Sequence, residues 1–400
     1  MTDWALLDHE YLMSTYSRLP LVIDHAEGNY LFDINEKRYL DLFTGLAVNI
    51  LGHSHPYLMN ALATQAERFL HISNFFYNPP AIRLAKRLVD NTLEDGKVYF
   101  CSTGAEATEA AIKSIHKWIS RQEEPKEGII VLKNSFHGRT LGALRLTRQP
   151  GIYQDFPTLP ISIYEVNMND IAGLKDICEK HHPAAILVEP ILGAGGILPL
   201  TQQFLETAQA LCQEKNMLFC LDEIQTGVGR TGTLFAYQAY DLKPDLILFA
   251  KGIGGGLPLG GIIAGQKLKN TFQPGDHGTT FSPSPLSAAL GNAVLDVLIE
   301  QHQLEKGKEV ADFLWSELQK LQRKFPALIE QINGRGMMIG IITTLSKTSI
   351  EQLRQEFLEN GILINITAGT IIRLLPPLTL TKEEVTHFID IFHQLLAKME

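Results

Sequence analysis

Six short apolar runs alternate with helix-like segments through the middle of the chain, and this alternation limits the possible folds more than any other feature. Helical patterns at 105–119 and 203–215 separate several of the runs. Runs that are apolar throughout are typical of strands covered on both faces, so we predict an α/β fold with a mostly parallel central sheet flanked by helices. The runs are KVYFCS (97–102), GIIVLK (128–133), AAILVEP (184–190), MLFCLDE (217–223), DLILFAK (245–251) and GGIIAG (260–265).

The sequence pattern changes after about residue 290, where longer amphipathic helices are predicted together with a few strands. Apolar residues recur at three- and four-residue spacing in FLWSELQKLQRKF (313–325) and LTKEEVTHFIDIFHQLLAKM (380–399). We predict a smaller C-terminal α/β domain over 291–400, a large domain over 51–290, and an N-terminal segment, 1–50, that packs with the small domain. The strand-like runs of the small domain are GMMIGIITT (336–344), GILINI (361–366) and TIIRLL (370–375).

Bulk properties exclude several classes of protein. A formal charge of −9 disfavours a nucleic-acid binder, which needs a basic surface. The start MTDWALLDHE lacks the basic-then-apolar order of a secretory signal, and the longest apolar run, 184–200, contains Glu189 and two prolines, so no membrane span is expected. The cysteines stand far apart and are expected to be free thiols of a cytoplasmic protein: Cys101, Cys178, Cys212 and Cys220.

Some polar groups have ordinary explanations. His53 and His55 lack a carboxylate or cysteine at ligand spacing, so we expect no metal site. Glu109 and Lys113 are expected to form a solvated pair one helical turn apart. Glu189, at the end of its strand, is expected to hold neighbouring side chains or to have a structural role.

Ligands of open α/β sheets gather beyond the carboxyl ends of the strands, so the residues at those ends are informative. KVYFCS leads into STGAEATEAAIK, which places the amides of Gly104 and Ala105 at a helix amino terminus, a natural phosphate seat. A simple helix cap by Ser102 or Thr103 is the alternative. GIIVLK leads into NSFHGRT, whose aromatic and basic residues suit ring stacking and carboxylate binding, or belong to a solvated loop.

Two further strand ends carry charged residues. MLFCL ends in Asp222 and Glu223, carboxylates that are costly to bury without a partner. DLILF ends in Ala250 and Lys251 before GIGGGLPLGG, where desolvation would lower the pKa of the lysine and favour imine chemistry. This glycine run lacks the GxGxxG spacing, which argues against nicotinamide binding.

Together these strand ends favour one ligand. It has a phosphate for Gly104 and Ala105, a flat ring for Phe136, a basic ring nitrogen for Asp222 and a carbonyl carbon for Lys251. Pyridoxal 5'-phosphate (PLP) has all four groups, so we predict it as the cofactor.

With these residues in place, the chain resembles the class III (ω-type) aminotransferases of fold-type I, in particular the acetylornithine/ornithine branch. The resemblance covers nearly the whole chain, and the motifs stand in the order and spacing of the family. They are LGHSHP (51–56), SNFFYNPPAIRLAKRL (73–88), STGAEATEAAIK (102–113), FHGRT (136–140), VEP (188–190), LDEIQTGVGRTG (221–232), AKGIGGGLPLG (250–260), HGTTFSPSPLSAA (277–289) and IIRLLPPL (371–378).

The resemblance implies a role towards PLP for each motif residue. Lys251 would be the catalytic lysine that carries the cofactor and moves a proton at the substrate carbon. Asp222 would bind the pyridinium nitrogen, Gln225 the phenolic oxygen, and Phe136 would stack on the ring. The phosphate would take backbone amides from Gly104 and Ala105.

Other matching residues are implied to serve the substrate and the neighbouring subunit. Thr280 would reach the phosphate from the second subunit, and Thr279 would lie near the substrate. Arg139 and Arg373 would bind the two carboxylates of glutamate. The resemblance therefore implies a homodimer with shared active sites.

The sequence departs from the family at two positions. Ala194 stands where many members have a glutamate that is thought to neutralise the C-terminal arginine, so Arg373 either stays unmasked or pairs with another acid. Leu46 stands where ornithine-specific members have a tyrosine, which disfavours free ornithine and suits an acylated amine.

The expected function is transfer of the terminal amino group of N-acetylornithine to 2-oxoglutarate by a ping-pong mechanism, as in arginine biosynthesis. The products would be N-acetylglutamate 5-semialdehyde and glutamate. Alternatives within the class are transamination of 4-aminobutyrate, succinylornithine, ornithine or lysine. A PLP-dependent aminomutase is the alternative from a different class.

Overall fold

The computed structural model describes residues 3–149 and 151–400. Its strands are β1 (Ile23–Glu27), β2 (Tyr30–Asp33), β3 (Arg38–Asp41), β4 (Lys97–Cys101), β5 (Ile129–Leu132), β6 (Ile163–Val166), β7 (Ala185–Val188), β8 (Ile191–Leu192), β9 (Leu198–Pro199), β10 (Leu218–Asp222), β11 (Leu246–Phe249), β12 (Gly260–Ala264), β13 (Ile329–Arg335), β14 (Met338–Thr343), β15 (Ile362–Leu363), β16 (Asn365–Thr367) and β17 (Ile371–Leu374). Its helices are α1 (Trp4–Tyr11), α2 (Thr44–Ala47), α3 (Pro56–Ala66), α4 (Pro79–Asp90), α5 (Gly104–Ile119), α6 (Leu141–Leu146), α7 (Ile171–Lys180), α8 (Gln202–Glu214), α9 (Pro285–Leu295), α10 (Gln303–Lys324), α11 (Lys347–Glu359) and α12 (Lys382–Ala397).

A seven-stranded sheet contains all six apolar runs predicted as strands. Its order is β4-β12-β11-β10-β7-β5-β6. The pairs from β11 to β6 are parallel, whereas β12 runs antiparallel to both of its neighbours. The predicted fold class, α/β with a mostly parallel central sheet, is therefore confirmed. Most strands of the sheet point their carboxyl ends to one edge.

Both faces of this sheet are covered, which explains why its strands are apolar throughout. Alternate residues of β7 belong to different core clusters: Ile186 packs in the cluster with α8, and Leu187 in the cluster with α5. The α5 side is lined by small residues, Ala107 and Ala111 among them, which allow the helix to lie close to the sheet. Each face of the central sheet is thus buried in a separate hydrophobic core.

Two four-stranded sheets, β1-β2-β3-β15 and β13-β14-β17-β16, lie outside the central sheet. The predicted single strand 361–366 is wrong, because it divides at Ile364 into β15 and β16, which belong to different sheets. β15 pairs in parallel with β3, whereas β16 pairs antiparallel with β17. We keep the division of the chain at residues 50 and 290 as a proposal, which the pairing of β3 with β15 supports.

The short element α2 is a left-handed turn. Its φ angles run from 47° at Thr44 to 70° at Ala47, with Leu46 at 65°. The Asp41 carboxylate accepts the Thr44 amide at 2.8 Å, and the Thr44 hydroxyl donates to the Leu375 carbonyl at 2.7 Å. These bonds hold a backbone conformation that L-residues rarely adopt.

None of the helices in the described part of the chain combines the length and the hydropathy needed to cross a membrane.

Candidate active site

A cavity of about 670 Å³ lies at the carboxyl edge of the central sheet. Apolar groups of Leu46, Val48 and Leu257 also border it. The cavity brings together most of the residues that sequence analysis assigns to cofactor and substrate: Gly104, Ala105, Phe136, Arg139, Asp222, Gln225, Lys251 and Arg373.

The amino terminus of α5 forms one wall of the cavity. The Thr103 hydroxyl accepts the Glu106 amide at 3.2 Å, and the Glu106 carboxylate accepts the amides of Ser102 and Thr103 at 2.7 and 2.9 Å. Within residues 3–149 and 151–400, the amides of Gly104 and Ala105 meet no protein acceptor. The cap and the anion seat are therefore compatible, because the cap leaves two donors facing the cavity.

Asp222 ends β10 and is buried beside His137. Its Oδ2 accepts the Nδ1–H of His137 at 2.7 Å, and its Oδ1 accepts the Ile224 amide at 3.1 Å. The histidine backbone is fixed by the hydroxyls of Thr147 and Thr108, at 3.0 and 2.7 Å. Sequence analysis gave His137 no role of its own, although its place in FHGRT after a buried strand is a signal for one.

The neighbouring carboxylate, Glu223, turns to the opposite side. It accepts the Thr226 hydroxyl at 2.5 Å and the amides of Ala236 and Tyr237 at 3.0 and 2.8 Å. Burial raises the pKa of Glu223 to about 7. The partner of this buried carboxylate is thus a set of three donors and no cation, and its role is to hold the loop after β10.

Lys251 follows β11 and borders the cavity with its backbone in the left-handed region, φ 52°. Loss of solvation lowers the pKa of Lys251 to about 8; the charge of Arg373 lowers it as well, while Asp222 and Glu189 act in the opposite direction. More of the amine is therefore uncharged at neutral pH than in an ordinary lysine, and the uncharged amine is the form that acts as a nucleophile.

Glu189 joins two walls of the cavity. Its carboxylate accepts the Phe136 amide at 2.9 Å and the Gly193 amide at 3.1 Å, and burial raises its pKa to about 7. The prediction that Glu189 holds neighbouring side chains is wrong, because the groups that it holds are backbone amides. The exposed guanidinium of Arg139 lies 5.7 Å from the centroid of the Phe136 ring.

Arg373, on β17, is buried and has neutral partners. The Asn365 side-chain oxygen accepts from Nε at 2.9 Å and from Nη2 at 2.7 Å, and the Gly193 carbonyl lies 3.4 Å from Nη1. No carboxylate of the described residues forms an ion pair with it. Burial lowers the pKa of Arg373 to about 10, so the group stays charged at neutral pH. Of the two alternatives raised by Ala194, the structure has the arginine without an acid partner.

Comparison with known proteins identifies the family. The family model for aminotransferase class-III matches residues 11–396. The chain is a class III aminotransferase. It is 39% identical over 386 residues to an acetylornithine aminotransferase from Aquifex aeolicus, across 96% of this chain and 100% of that protein.

Solved structures of two other aminotransferases have the same fold. The acetylornithine aminotransferase from Elizabethkingia anophelis superposes with a TM-score of 0.88 at 33% identity, over 98% of each chain. The ornithine aminotransferase from Toxoplasma gondii, crystallized with oxidized glutathione, superposes with a TM-score of 0.92 at 29% identity, over 99% of this chain and 94% of that one. The latter is described with partial occupancy of PLP at its active site.

PLP is the cofactor of this aminotransferase, and its substrates are small molecules. The residues of the cavity fit the cofactor. The unbonded amides of Gly104 and Ala105 suit a phosphate, the Asp222 carboxylate suits a protonated ring nitrogen, and the Lys251 amine suits an aldehyde. The buried Oε1 of Gln225 has no protein partner in the described part of the chain, which leaves it for a ligand.

The expected pair of Glu109 and Lys113 is wrong. The Glu109 carboxylate accepts the Thr140 hydroxyl at 2.5 Å and the Gly142 amide at 2.9 Å, and so caps α6 of the aminotransferase. Lys113 instead donates to the Asp276 carbonyl at 2.7 Å. A glutamate prefers a helix amino terminus, with its unpaired amides, to an exposed pair on its own helix.

Two predicted residues lie away from the cavity of their own chain. Thr280 is exposed, and the carbonyl of Thr279 accepts the Asn74 side chain at 2.9 Å. Their assigned roles stay predictions. Across residues 3–149 and 151–400, no three His, Cys, Asp or Glu side chains cluster as metal ligands do. All four cysteines are buried and free.

Proposed function

We propose that this aminotransferase moves the terminal amino group of N-acetylornithine to 2-oxoglutarate, forming N-acetylglutamate 5-semialdehyde and glutamate. One observation carries the proposal: Arg139 and Arg373 border the same cavity as Lys251, one exposed and one buried. A dicarboxylate such as 2-oxoglutarate can place one carboxylate on each guanidinium. The relatives from Aquifex aeolicus and Elizabethkingia anophelis, both named as acetylornithine aminotransferases, support the donor.

The mouth of the cavity favours an acylated donor. Leu46, Val48 and Leu257 offer apolar surface there, which suits an acetyl group better than a free ammonium group. Ornithine is the second candidate, because the Toxoplasma gondii structure is an ornithine aminotransferase. Leu46 argues against it, since this wall offers no polar partner to the α-ammonium group.

The cofactor would be held at the sheet edge. We assign the phosphate to the amides of Gly104 and Ala105, the ring face to Phe136, and the phenolic oxygen to Gln225. Asp222 would bind the ring nitrogen, supported by its bond to His137. The support for these assignments is that all of these groups border one cavity, and that the two amides and the Gln225 oxygen have no partner among residues 3–149 and 151–400.

When bound, PLP takes up the amino group and stabilises negative charge that develops on the substrate carbon. Lys251 would hold the cofactor between turnovers and then move the proton at the substrate carbon as general base and acid. Its lowered pKa, about 8, supports both roles. Arg139 would orient the carboxylate of the donor, and Arg139 and Arg373 together the two carboxylates of 2-oxoglutarate, so that the reacting carbon lies at Lys251.

We further propose a cytoplasmic homodimer with active sites shared between subunits. A patch of aromatic side chains is nearly bare in the single chain: Phe75 is 95% exposed, Tyr77 91%, and Phe281 70%. Patches of this kind mark protein–protein contacts. Thr280, next to Phe281, would then reach the phosphate of the partner's site. Sedimentation equilibrium tests whether the protein is a dimer. Thr280→Val should weaken PLP binding and leave the dimer intact.

The donor is tested by titrating the purified protein with amines. The bound cofactor absorbs at about 420 nm. This absorbance should disappear when N-acetylornithine is added and return when 2-oxoglutarate is added. Bleaching by ornithine, 4-aminobutyrate, succinylornithine or lysine, with none by N-acetylornithine, would contradict the donor and leave the class intact.

Replacing Lys251 separates binding from catalysis. We expect Lys251→Ala to lower turnover by about 10³-fold or more, because the proton carrier is removed. After borohydride reduction, peptide mass mapping should find the cofactor on Lys251 in the parent protein and on no peptide of the variant. Labelling at another lysine would refute the assignment.

A further inference from the structure

The buried arginine of the cavity is held by a neutral side chain. A single oxygen, Oδ1 of Asn365, accepts from both Nε and Nη2 of Arg373. This grip on one edge fixes the plane of the guanidinium. With the Gly193 carbonyl on one N–H of Nη1, one N–H of Nη1 and one of Nη2 are without a protein acceptor in the described part of the chain, and Arg373 borders the cavity.

The loop opposite Arg373 is fixed as well, and it supplies no acid. The Thr367 hydroxyl donates to the Ala194 carbonyl at 3.1 Å, which ties β16 to this loop. A side chain at Gly193 would contact Oε1 of Gln225, so the Gln225 side chain would have to move to admit one. Ala194 itself ends in a methyl group. The backbone is therefore held in place where a masking carboxylate is missing.

The charge of Arg373 is not cancelled by its other neighbours. Glu189 is the acid that acts on it, but both carboxylate oxygens of Glu189 are occupied by the amides of Phe136 and Gly193. The nearby Lys251 is itself a cation when protonated. A buried guanidinium without a contacting carboxylate is a strong site for an incoming one.

We propose that Asn365 is a positioning residue that keeps Arg373 open to carboxylates throughout the catalytic cycle. Dicarboxylates then bind both forms of the enzyme. One is the form whose cofactor carries the substrate's amino group, which normally binds 2-oxoglutarate, and the other is the form without that amino group, which normally binds the donor. 2-Oxoglutarate therefore inhibits the enzyme by competing with N-acetylornithine, the other substrate. The proposal rests on the proposed function for the identity of the two substrates.

Asparagine and aspartate have nearly the same shape, so Asn365→Asp changes the charge and little else. The new carboxylate would form a bidentate ion pair with Arg373 and mask it. Thr367→Val is the matched control, because it lies on the same strand and removes the tie to Ala194 without adding charge. It separates an effect of charge from an effect of moving β16.

The first measurement is the dissociation constant of glutarate, an unreactive dicarboxylate, from the holoenzyme by calorimetry. We expect Asn365→Asp to weaken binding by about tenfold or more, and Thr367→Val to stay within about twofold of the parent. Unchanged binding in Asn365→Asp, or an equal loss in Thr367→Val, overturns the proposal. This measurement does not depend on the donor.

The second measurement is kinetic. In the parent enzyme, 2-oxoglutarate should inhibit competitively against N-acetylornithine, and Asn365→Asp should raise this inhibition constant by the same factor as for glutarate. The single-turnover rate with the donor should change by less than about threefold, because the donor does not need Arg373. Absence of competitive inhibition in the parent refutes the proposal. A parent that binds glutarate but ignores N-acetylornithine refutes the proposed function alone.

If Asn365→Asp folds poorly, Asn365→Ser gives the answer. Serine loses the grip on the guanidinium without masking its charge, so glutarate should bind about threefold more weakly, with no new ion pair. Full affinity in Asn365→Ser would show that Asn365 does not position Arg373.

Discussion

The two ends of the cavity are built differently. At the sheet end, which we define as Gly104, Asp222 and Lys251, strand ends deliver each group, and Asp222 has two hydrogen bonds from the protein before any ligand binds. At the arginine end, Arg373 and Asn365, a buried charge meets neutral oxygens. The difference suits a cofactor that stays at one end and carboxylates that come and go at the other.

The largest expected effect tests the sheet end. Asp222→Asn removes the charge opposite the ring nitrogen, and we expect turnover to fall by about 10²–10³-fold with either substrate. Steady-state kinetics with saturating donor and 2-oxoglutarate measures this loss. A loss confined to one substrate would contradict the assignment of Asp222 to the cofactor.

Glu223→Gln is the control next door. Its carboxylate holds three donors away from the cavity, so we expect the free energy of unfolding to fall by about 1–3 kcal/mol while the folded enzyme keeps most of its turnover. Urea unfolding measures the first effect. Equal losses of activity in the two variants would erase the distinction between these adjacent acids.

The next prediction concerns the pKa of Lys251, which depends on the charge of Arg373 at the other end of the cavity. Arg373 lowers the pKa of Lys251, which is about 8. Because the proposed role of Lys251 towards the cofactor needs the uncharged amine, the rate of PLP uptake by the cofactor-free protein should rise with pH, with a midpoint at about 8. Arg373→Gln removes the repelling cation and raises the pKa of Lys251, so the midpoint should move to higher pH.

Stopped-flow measurement of uptake across pH checks this shift. Arg139→Gln is the control, because Arg139 is exposed and does not act on the Lys251 pKa. Its midpoint should match the parent. An identical midpoint in Arg373→Gln would show that the two ends are electrically independent.

The smallest effect concerns two equivalent helix caps. Thr103 with Glu106 caps α5 at the cavity, and Thr381 with Glu384 caps α12 elsewhere. Thr103→Ala and Thr381→Ala should each cost about 1 kcal/mol of stability. Thr103→Ala alone should also weaken PLP binding, because it loosens the Gly104 amide. Thermal unfolding and PLP titration measure the two effects, and equal PLP affinities would contradict a phosphate seat at α5.

Local patterns were sufficient to predict the central sheet and the sheet end of the site. The apolar runs, the glycine turn before α5 and the charged strand ends are each contained in a few consecutive residues, so Gly104, Asp222 and Lys251 could be found from sequence. The run GILINI could not be divided correctly, because its two halves pair with partners far apart, β3 and β17.

The missed residues depend on contacts that sequence does not show. His137 meets Asp222 across two strand ends, and Asn365 meets Arg373 across an antiparallel pair. Glu109 bonds to the amino terminus of α6 instead of Lys113, because tertiary packing brings α6 next to it. His137 and Asp222 are 85 residues apart, and Glu109 and Gly142 are 33 apart, so no spacing rule predicts these contacts. Asn365 and Arg373 are only eight residues apart, but the run 361–366 was taken as one strand, which hides the hairpin that pairs them.

The left-handed turn that carries Leu46 limits how the entrance of the cavity can change. Four successive residues with positive φ disfavour valine, isoleucine and threonine, which are the usual ways to alter an apolar wall by one methyl group. Leu257, which also borders the cavity, has no such backbone constraint. Directed evolution towards bulkier amines would accordingly accumulate its tolerated substitutions at 257 and leave 46 nearly invariant.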